Sequence, residues 1–206
     1  MNKPLFVISC PIDCYSGYSA RSRDIAKAII KSEKYDVKII PQRWGNTPFG
    51  FLQYDNPEHK LILDCLLNQH QLPKQPDIWM QITVPNEFQP IGKYNIGVTA
   101  GIETTICDPS WIEGINRMNL TLVSSEHAKK VFEESTFEQR DKNTDQVVGI
   151  VKLEKEIQVL FEGLDTNIYK LTPSNKSEIS NILDSIEETF LFDFTDHWLH
   201  GDLGLD

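Results

Sequence analysis

Residues 5–30, LFVISCPIDCYSGYSARSRDIAKAII, decide how this chain is read. Leu5-Phe6-Val7-Ile8 is an apolar run too short for a helix and reads as a buried strand. At the far end Ile25, Ala26, Ile29 and Ile30 recur at helical spacing, with Arg23, Asp24, Lys27 and Lys31 largely on the other face. Between them lies a turn of small and polar residues, with Gly17 near its tip. A strand, a small-residue loop and a helix start together make an anion cradle. The first N–H groups of a helix have no internal partner, and the macrodipole adds partial positive charge there. Arg21 and Arg23 in the first turn reinforce it. One glycine can equally do no more than close a tight βα turn. Neither a G-x-G-x-x-G nor a G-K-[ST] pattern is present, which removes the dinucleotide fingerprint and the P-loop. What remains is a place where something phosphorylated can bind.

Working outward, the 206 residues suffice for one α/β domain, or for one domain and the beginning of another. A composition of 40% hydrophobic and 24% charged residues is that of an ordinary globular protein. No apolar run approaches the roughly 18 residues that cross a bilayer. The first apolar run is too short for a signal peptide and leads straight into a strand. Cys10, Cys14, Cys65 and Cys107 lack paired CxxC spacing, which argues against zinc and for free thiols in a reducing cytosol. A cytoplasmic location is the expectation. The net charge of −10 argues against a broad surface for phosphate backbones, without excluding a small basic cleft.

Strands and helices then alternate. Residues 35–40 read as a strand stopped by Pro41, and 42–56 as a long aromatic loop carrying Trp44, Phe49 and Phe51. His59 to Gln69 reads as a helix, and Asp77 to Ile82 and Tyr94 to Thr99 as strands. Asp108 and Pro109 open a short helix to Arg117, and Leu120 to Val123 is a further strand. Ser124 or Ser125 caps a helix to about Glu134. The alternating runs Val147–Leu153 and Ile157–Phe161 suggest an added hairpin or further strands. After a linker or turn at 172–176 come a helix, Ser177 to Glu188, and a strand, Phe190 to Phe194. This order predicts a doubly wound, mostly parallel α/β sheet.

Four stretches carry a resemblance. They are Ser16-Gly17-Tyr18-Ser19-Ala20-Arg21-Ser22-Arg23, Thr99-Ala100-Gly101-Ile102-Glu103, Val123 to Phe132 (VSSEHAKKVF) and Glu162 to Tyr169 (EGLDTNIY). In order and spacing they resemble the N-terminal Rossmann-like domain of GT-B fold nucleotide-sugar glycosyltransferases of the family 4, group 1 type. The likeness is to those of tailed-phage and environmental genomes, and it runs over roughly residues 4 to 200. Phe190 to Asp206 resembles the first strand and loop of that family's C-terminal domain, where a basic pair holding the donor diphosphate would follow. The resemblance therefore implies an acceptor-side domain over 1–172. Residues 173–206 would be a linker with the first helix and strand of an incomplete donor-binding domain. Such a truncated chain is expected to be inactive without a C-terminal half in cis or in trans.

The resemblance also implies site residues. Gly17, Tyr18 and Arg21 would face the nucleotide-sugar donor, Arg21 being otherwise a solvated helix residue. Glu103, just past a strand's carboxyl end, is the candidate base toward an acceptor hydroxyl if burial raises its pKa, or else a carboxylate capping a loop. Many relatives place a histidine near this position. Asp13 is a weaker catalytic candidate on the same rim. Trp44, Glu87 and Gly101 would lie on the acceptor side, Trp44 being otherwise packing. The acceptor itself is open among glycan, lipid and nucleobase. No cofactor beyond the donor is implied, and no metal. His197 and His200 have metal-compatible spacing with Asp202 but lack a clear third ligand. Two other readings stand beside the transferase. One is a non-catalytic module that binds an acceptor or a partner chain. The other is an unrelated flavodoxin-like or receiver-like domain, although the acidic cluster of a receiver is missing.

Overall fold

β1, Leu5–Cys10, is buried along its whole length. It lies in a parallel sheet between β2, Asp36–Pro41, and β3, Ile78–Ile82. A strand with a neighbour on each side and cover on both faces has no solvent face to make polar, so its sequence is a continuous apolar run. The computed structural model of the protein describes residues 3–67, 72, 74–141, 144–163 and 166. The chain divides into two compact units, Met1–Gly163 and Leu164–Asp206, and the fold reported is that of the first. The expected linker at 172–176, the helix 177–188, the strand 190–194 and the His197, His200 and Asp202 group lie outside the described residues.

The sheet continues through β4, Tyr94–Val98, and β5, Leu120–Val123, in the order β2-β1-β3-β4-β5. A sixth strand, β8, Glu156–Val159, adds parallel to β5, and every pairing in the sheet is parallel. At the other edge Leu66 bridges Ile39 in parallel, with Ile39 N–H donating to Cys65 O and Leu67 N–H to Ile39 O. If 65–67 is counted as a vestigial strand outside β2, the connectivity becomes third-second-first-fourth-fifth-sixth-seventh, whose first six positions follow the Rossmann order. The fold is thus α/β, Rossmann-like and doubly wound, as expected.

Alternation along β1 separates two cores. Phe6, Ile8 and Cys10 pack with Ala26 of α1 (Gly17–Lys31) and Ile62 of α2 (Pro57–Leu63). Leu5 and Val7 belong to the core of Ile112 and Ile115 of α3 (Pro109–Asn116) and Val131 and Phe132 of α4 (Glu126–Glu134). The caps follow local chemistry. Ser16, Asn56, Asp108 and Ser125 each have extended backbone and accept an N–H of the first turn of α1, α2, α3 and α4 respectively.

Two expectations are corrected, and a third, an added hairpin or further strands, is met in both parts. First, the buried residues of α1 are Ser19, Ser22, Arg23 and Ala26, while Ile25, Ile29 and Ile30 are half-buried. The helix is rotated so that a stripe of small side chains meets the sheet and the isoleucines flank the contact. Second, α2 stops at Leu63 instead of running to Gln69, because Cys65 to Leu67 leave it to pair with β2. Third, the partner of Val147 in the hairpin lies before it. β6, Thr136–Arg140, pairs antiparallel with β7, Val147–Lys152, and the run from residue 157 joins the main sheet instead. β6 is polar and largely exposed, so it carried no hydrophobic signal.

Candidate functional site

The strand order reverses between β1 and β3, and in open α/β sheets the crevice outside the carboxyl ends at such a point is where ligands bind. Here that crevice is framed by the β1–α1 turn, the turn after β4 and the segment after β8. Its centre is Tyr18, in the first turn of α1. The Tyr18 hydroxyl accepts the Ala100 N–H at 3.0 Å and shares a hydrogen bond with Thr99 Oγ1 at 2.9 Å. Trp44, from the long loop after β2, stacks on the same ring at 4.1 Å between centroids and 25° between planes. Beneath lies a small, mainly apolar cavity of 130 Å³ bordered by Gly17, Arg21, Ile82, Val98, Thr99 and Glu162.

Arg21 forms the other wall. Its side chain is only 10% exposed, although it stands on a helix surface. The guanidinium donates to the Leu160 carbonyl and lies 3.6 Å from Glu162, while its Nε has no partner among the described residues. Ser16 caps α1 by accepting Ser19 N–H at 3.1 Å, and Ala20 N–H returns to Ser16 O. The N–H groups of Gly17 and Tyr18 make no hydrogen bond among the described residues. Two preorganised donors and one cation thus sit at one mouth, which suits an anionic group.

Gly101 sets the turn after β4. Its φ of +96° favours glycine, and an added Cβ would run into the Ala128 side chain at the start of α4. Ser124 Oγ donates to Ala100 O at 2.7 Å from the adjoining strand end. Glu103, two residues after Gly101, is solvent-exposed and borders none of the cavities described. The burial on which its role as a base depends is not there. Asp13 works as an anchor: its two carboxylate oxygens accept Leu52 N–H at 2.8 Å and Gly50 N–H at 3.2 Å. Glu87 is exposed in a single 3-10 turn, Pro85–Glu87, and accepts the Thr83 hydroxyl. Tyr18, Gly17 and Arg21 therefore come together with Trp44, whereas Asp13, Glu87 and Glu103 border neither of the cavities at this mouth.

Sequence reasoning missed what two residues do. Arg23 reads as a first-turn cation of the anion cradle on the polar face of α1, yet it is buried, donating to Ile12 O at 3.1 Å and Cys14 O at 3.0 Å. Its charge lies 3.5 Å from the centre of the Phe51 ring. Burial lowers its pKa from the ordinary value, while Asp24 and Asp13 oppose the shift. The available signal was its place in the small-residue stripe with Ser19 and Ala26. The other residue is Glu162, whose role shows only through its contact with Arg21, 141 positions earlier. Cys10, at the end of β1, is no nucleophile: burial pushes its thiol up to about 12.

A larger hollow, of 1260 Å³, is a broad trough at the opposite end of the sheet, lined in part by Lys3, Lys31, Asp36 and Lys38. It lies at the amino ends of β1 and β2, away from the reversal point. Among the described residues no helix is long and apolar enough to cross a membrane, and no group of three or more His, Cys, Asp or Glu could hold a metal ion. No protein-family model matches the chain, and no curated protein matches it.

Proposed function

We propose that this domain is the acceptor-side lobe of a nucleotide-sugar glycosyltransferase, with the reversal-point crevice facing the donor. One observation carries the reading: described residues of the four resembling stretches, far apart in sequence, meet at a single mouth. Tyr18 of the first is hydrogen-bonded to Thr99 and Ala100 of the second, Ser124 of the third to Ala100, and Arg21 of the first is paired with Glu162 of the fourth. In this reading the N–H groups of Gly17 and Tyr18, with Arg21, stabilise the negative charge that grows on the departing nucleoside diphosphate. The acceptor oxygen bonds to the anomeric carbon as the bond from that carbon to the phosphate oxygen breaks. The hydroxyl proton passes to a base or to the leaving group. A C-terminal half in cis or in trans would hold most of the donor.

A second reading, a non-catalytic module that binds an acceptor or a partner chain, draws on a different observation. Asp13 is committed to backbone amides and Glu103 is exposed away from the cavities, so no carboxylate among the candidates stands ready as a base. The two readings separate in one assay. UDP-glucose and GDP-mannose are incubated with mixed hydroxyl acceptors and the chain, alone and with a donor-binding half. Nucleoside diphosphate release that appears on complementation and falls at least tenfold in Arg21→Gln supports the transferase. No release in either arm contradicts it and leaves the module.

A further inference from the structure

The loop 42–56 leaves an aromatic surface beside the crevice that the crevice does not use. Tyr15 and Phe49 are 52% and 46% exposed, and Tyr54 is 87% exposed. Exposed rings on a slack loop would mean little, but this loop is pinned. Asp13 takes N–H bonds from Gly50, Phe51 and Leu52, and Phe49 forms an antiparallel bridge with Cys14. The Tyr15 hydroxyl donates to Gly50 O at 3.1 Å, and its ring meets Phe51 edge-on at 5.4 Å over the buried Arg23. The Tyr15 ring and the Phe49 backbone are therefore fixed before anything binds, with the Arg43 guanidinium 5.9 Å from the centre of the Phe49 ring, which removes part of the ordering cost of recognition.

The chemistry around the rings selects the occupant. In a chain that is 24% charged, the fifteen residues 42–56 carry only Arg43 and Asp55 as charges. The side chains of Gln42, Asn46 and Gln53 are exposed and make no hydrogen bond among the described residues. Amides offer both donors and acceptors, and aromatic faces accept C–H surfaces. That pairing matches a pyranose, which has an apolar C–H face and a rim of hydroxyls. There is no row of cations for a phosphate backbone, which single-stranded nucleic acid requires. Trp44 leaves the same loop to stack on Tyr18, so the surface leads into the crevice. We infer that Tyr15 and Phe49 form a platform for a neutral saccharide and, resting on the transferase reading, that this saccharide is the acceptor.

The test is calorimetry and saturation-transfer NMR on the full chain without donor, using maltohexaose, cellohexaose, mannohexaose and chitohexaose. At least one hexaose should bind saturably. Phe49→Ala should weaken it by about threefold to tenfold. Lys31→Gln, at the far trough, should leave it unchanged, with thermal unfolding as the check on folding. The inference is overturned if no hexaose binds, if Phe49→Ala binds as well as wild type, or if a decaproline peptide or oligothymidylate binds more tightly than every hexaose. Hexaose binding without nucleoside diphosphate release removes the transferase reading and keeps the platform. Release without hexaose binding does the reverse.

Discussion

The two ends of the central sheet solve different problems. At the amino end the hollow is about ten times larger than the cavity under Tyr18, and ion pairs form in it and beside it. Lys38 meets Asp36 at 3.2 Å, and Lys74 and Lys93 meet Asp77 at 3.4 and 2.7 Å. Asp77 also accepts Leu5 N–H at 2.9 Å, fastening β1 at its start. At the carboxyl end the polar contacts reach across the chain, from Tyr18 to Ala100 and from Arg21 to Leu160, and they enclose little volume. What sets the carboxyl end apart is that its polar contacts surround helix N–H groups without a partner among the described residues.

If that contrast is right, substitutions at the carboxyl end should cost more than those at the amino end. The largest effect is expected at Arg23. Arg23→Leu leaves the Ile12 and Cys14 carbonyls without their donor and releases Phe51, so urea denaturation should show a loss of about 3 kcal/mol. A loss below about 1 kcal/mol would mean the β1–α1 turn does not depend on that buried cation. Next comes Tyr18→Phe, which keeps the Trp44 stack and removes the hydroxyl between Thr99 and Ala100. It should cost about 1 kcal/mol. The hydrogen exchange of the Ala100 amide should quicken, a change confined to the carboxyl end.

The smallest effect, and a pH-dependent one, belongs to the amino end. The Lys93 hydrogen bond and then the Leu5 N–H hold the Asp77 carboxyl well below the usual carboxylate range. A carboxyl depressed in the folded state adds stability above its unfolded pKa of about 3.9, and that stability is lost as pH falls through the folded value. Asp77→Asn should therefore melt below wild type at pH 7, with the gap narrowing below about pH 4. A gap that stays constant from pH 7 to pH 3 would remove the charge from the explanation.

Much of the sheet was readable because its strands are buried on both faces. Leu5–Ile8 is wholly apolar, and Ile78–Ile82 and Leu120–Val123 are apolar but for Gln81 and Thr121, so none needs a partner to be recognised. The cap Asp108 was equally plain, being local chemistry, and the other helix start was narrowed to Ser124 or Ser125, of which Ser125 is the cap. Reading failed where long-range partners decide. The rotation of α1 depends on what Ser19, Ser22 and Arg23 find on the sheet, and helical periodicity favoured the isoleucines instead. β6 is a strand because β7 pairs with it, and its polar residues gave no pattern of their own. At the crevice, Tyr18 was singled out by the resemblance, and Arg21 and Trp44 also by their residue types, but Glu162 becomes meaningful only beside Arg21. Asp13 shows the converse: a carboxylate in a loop reads as chemistry until its amide partners are seen.

The central claim is that the mouth framed by Gly17, Tyr18, Arg21 and Ala100 receives an anionic sugar nucleotide. Titrating the isotopically labelled chain with UDP-glucose and following backbone amides tests it most directly. The amides of Gly17, Tyr18 and Ala100 should shift saturably, those of Lys31 and Lys38 at the far trough should stay still, and Arg21→Gln should abolish the response. Shifts confined to Lys31 and Lys38, or unchanged shifts in Arg21→Gln, would contradict it.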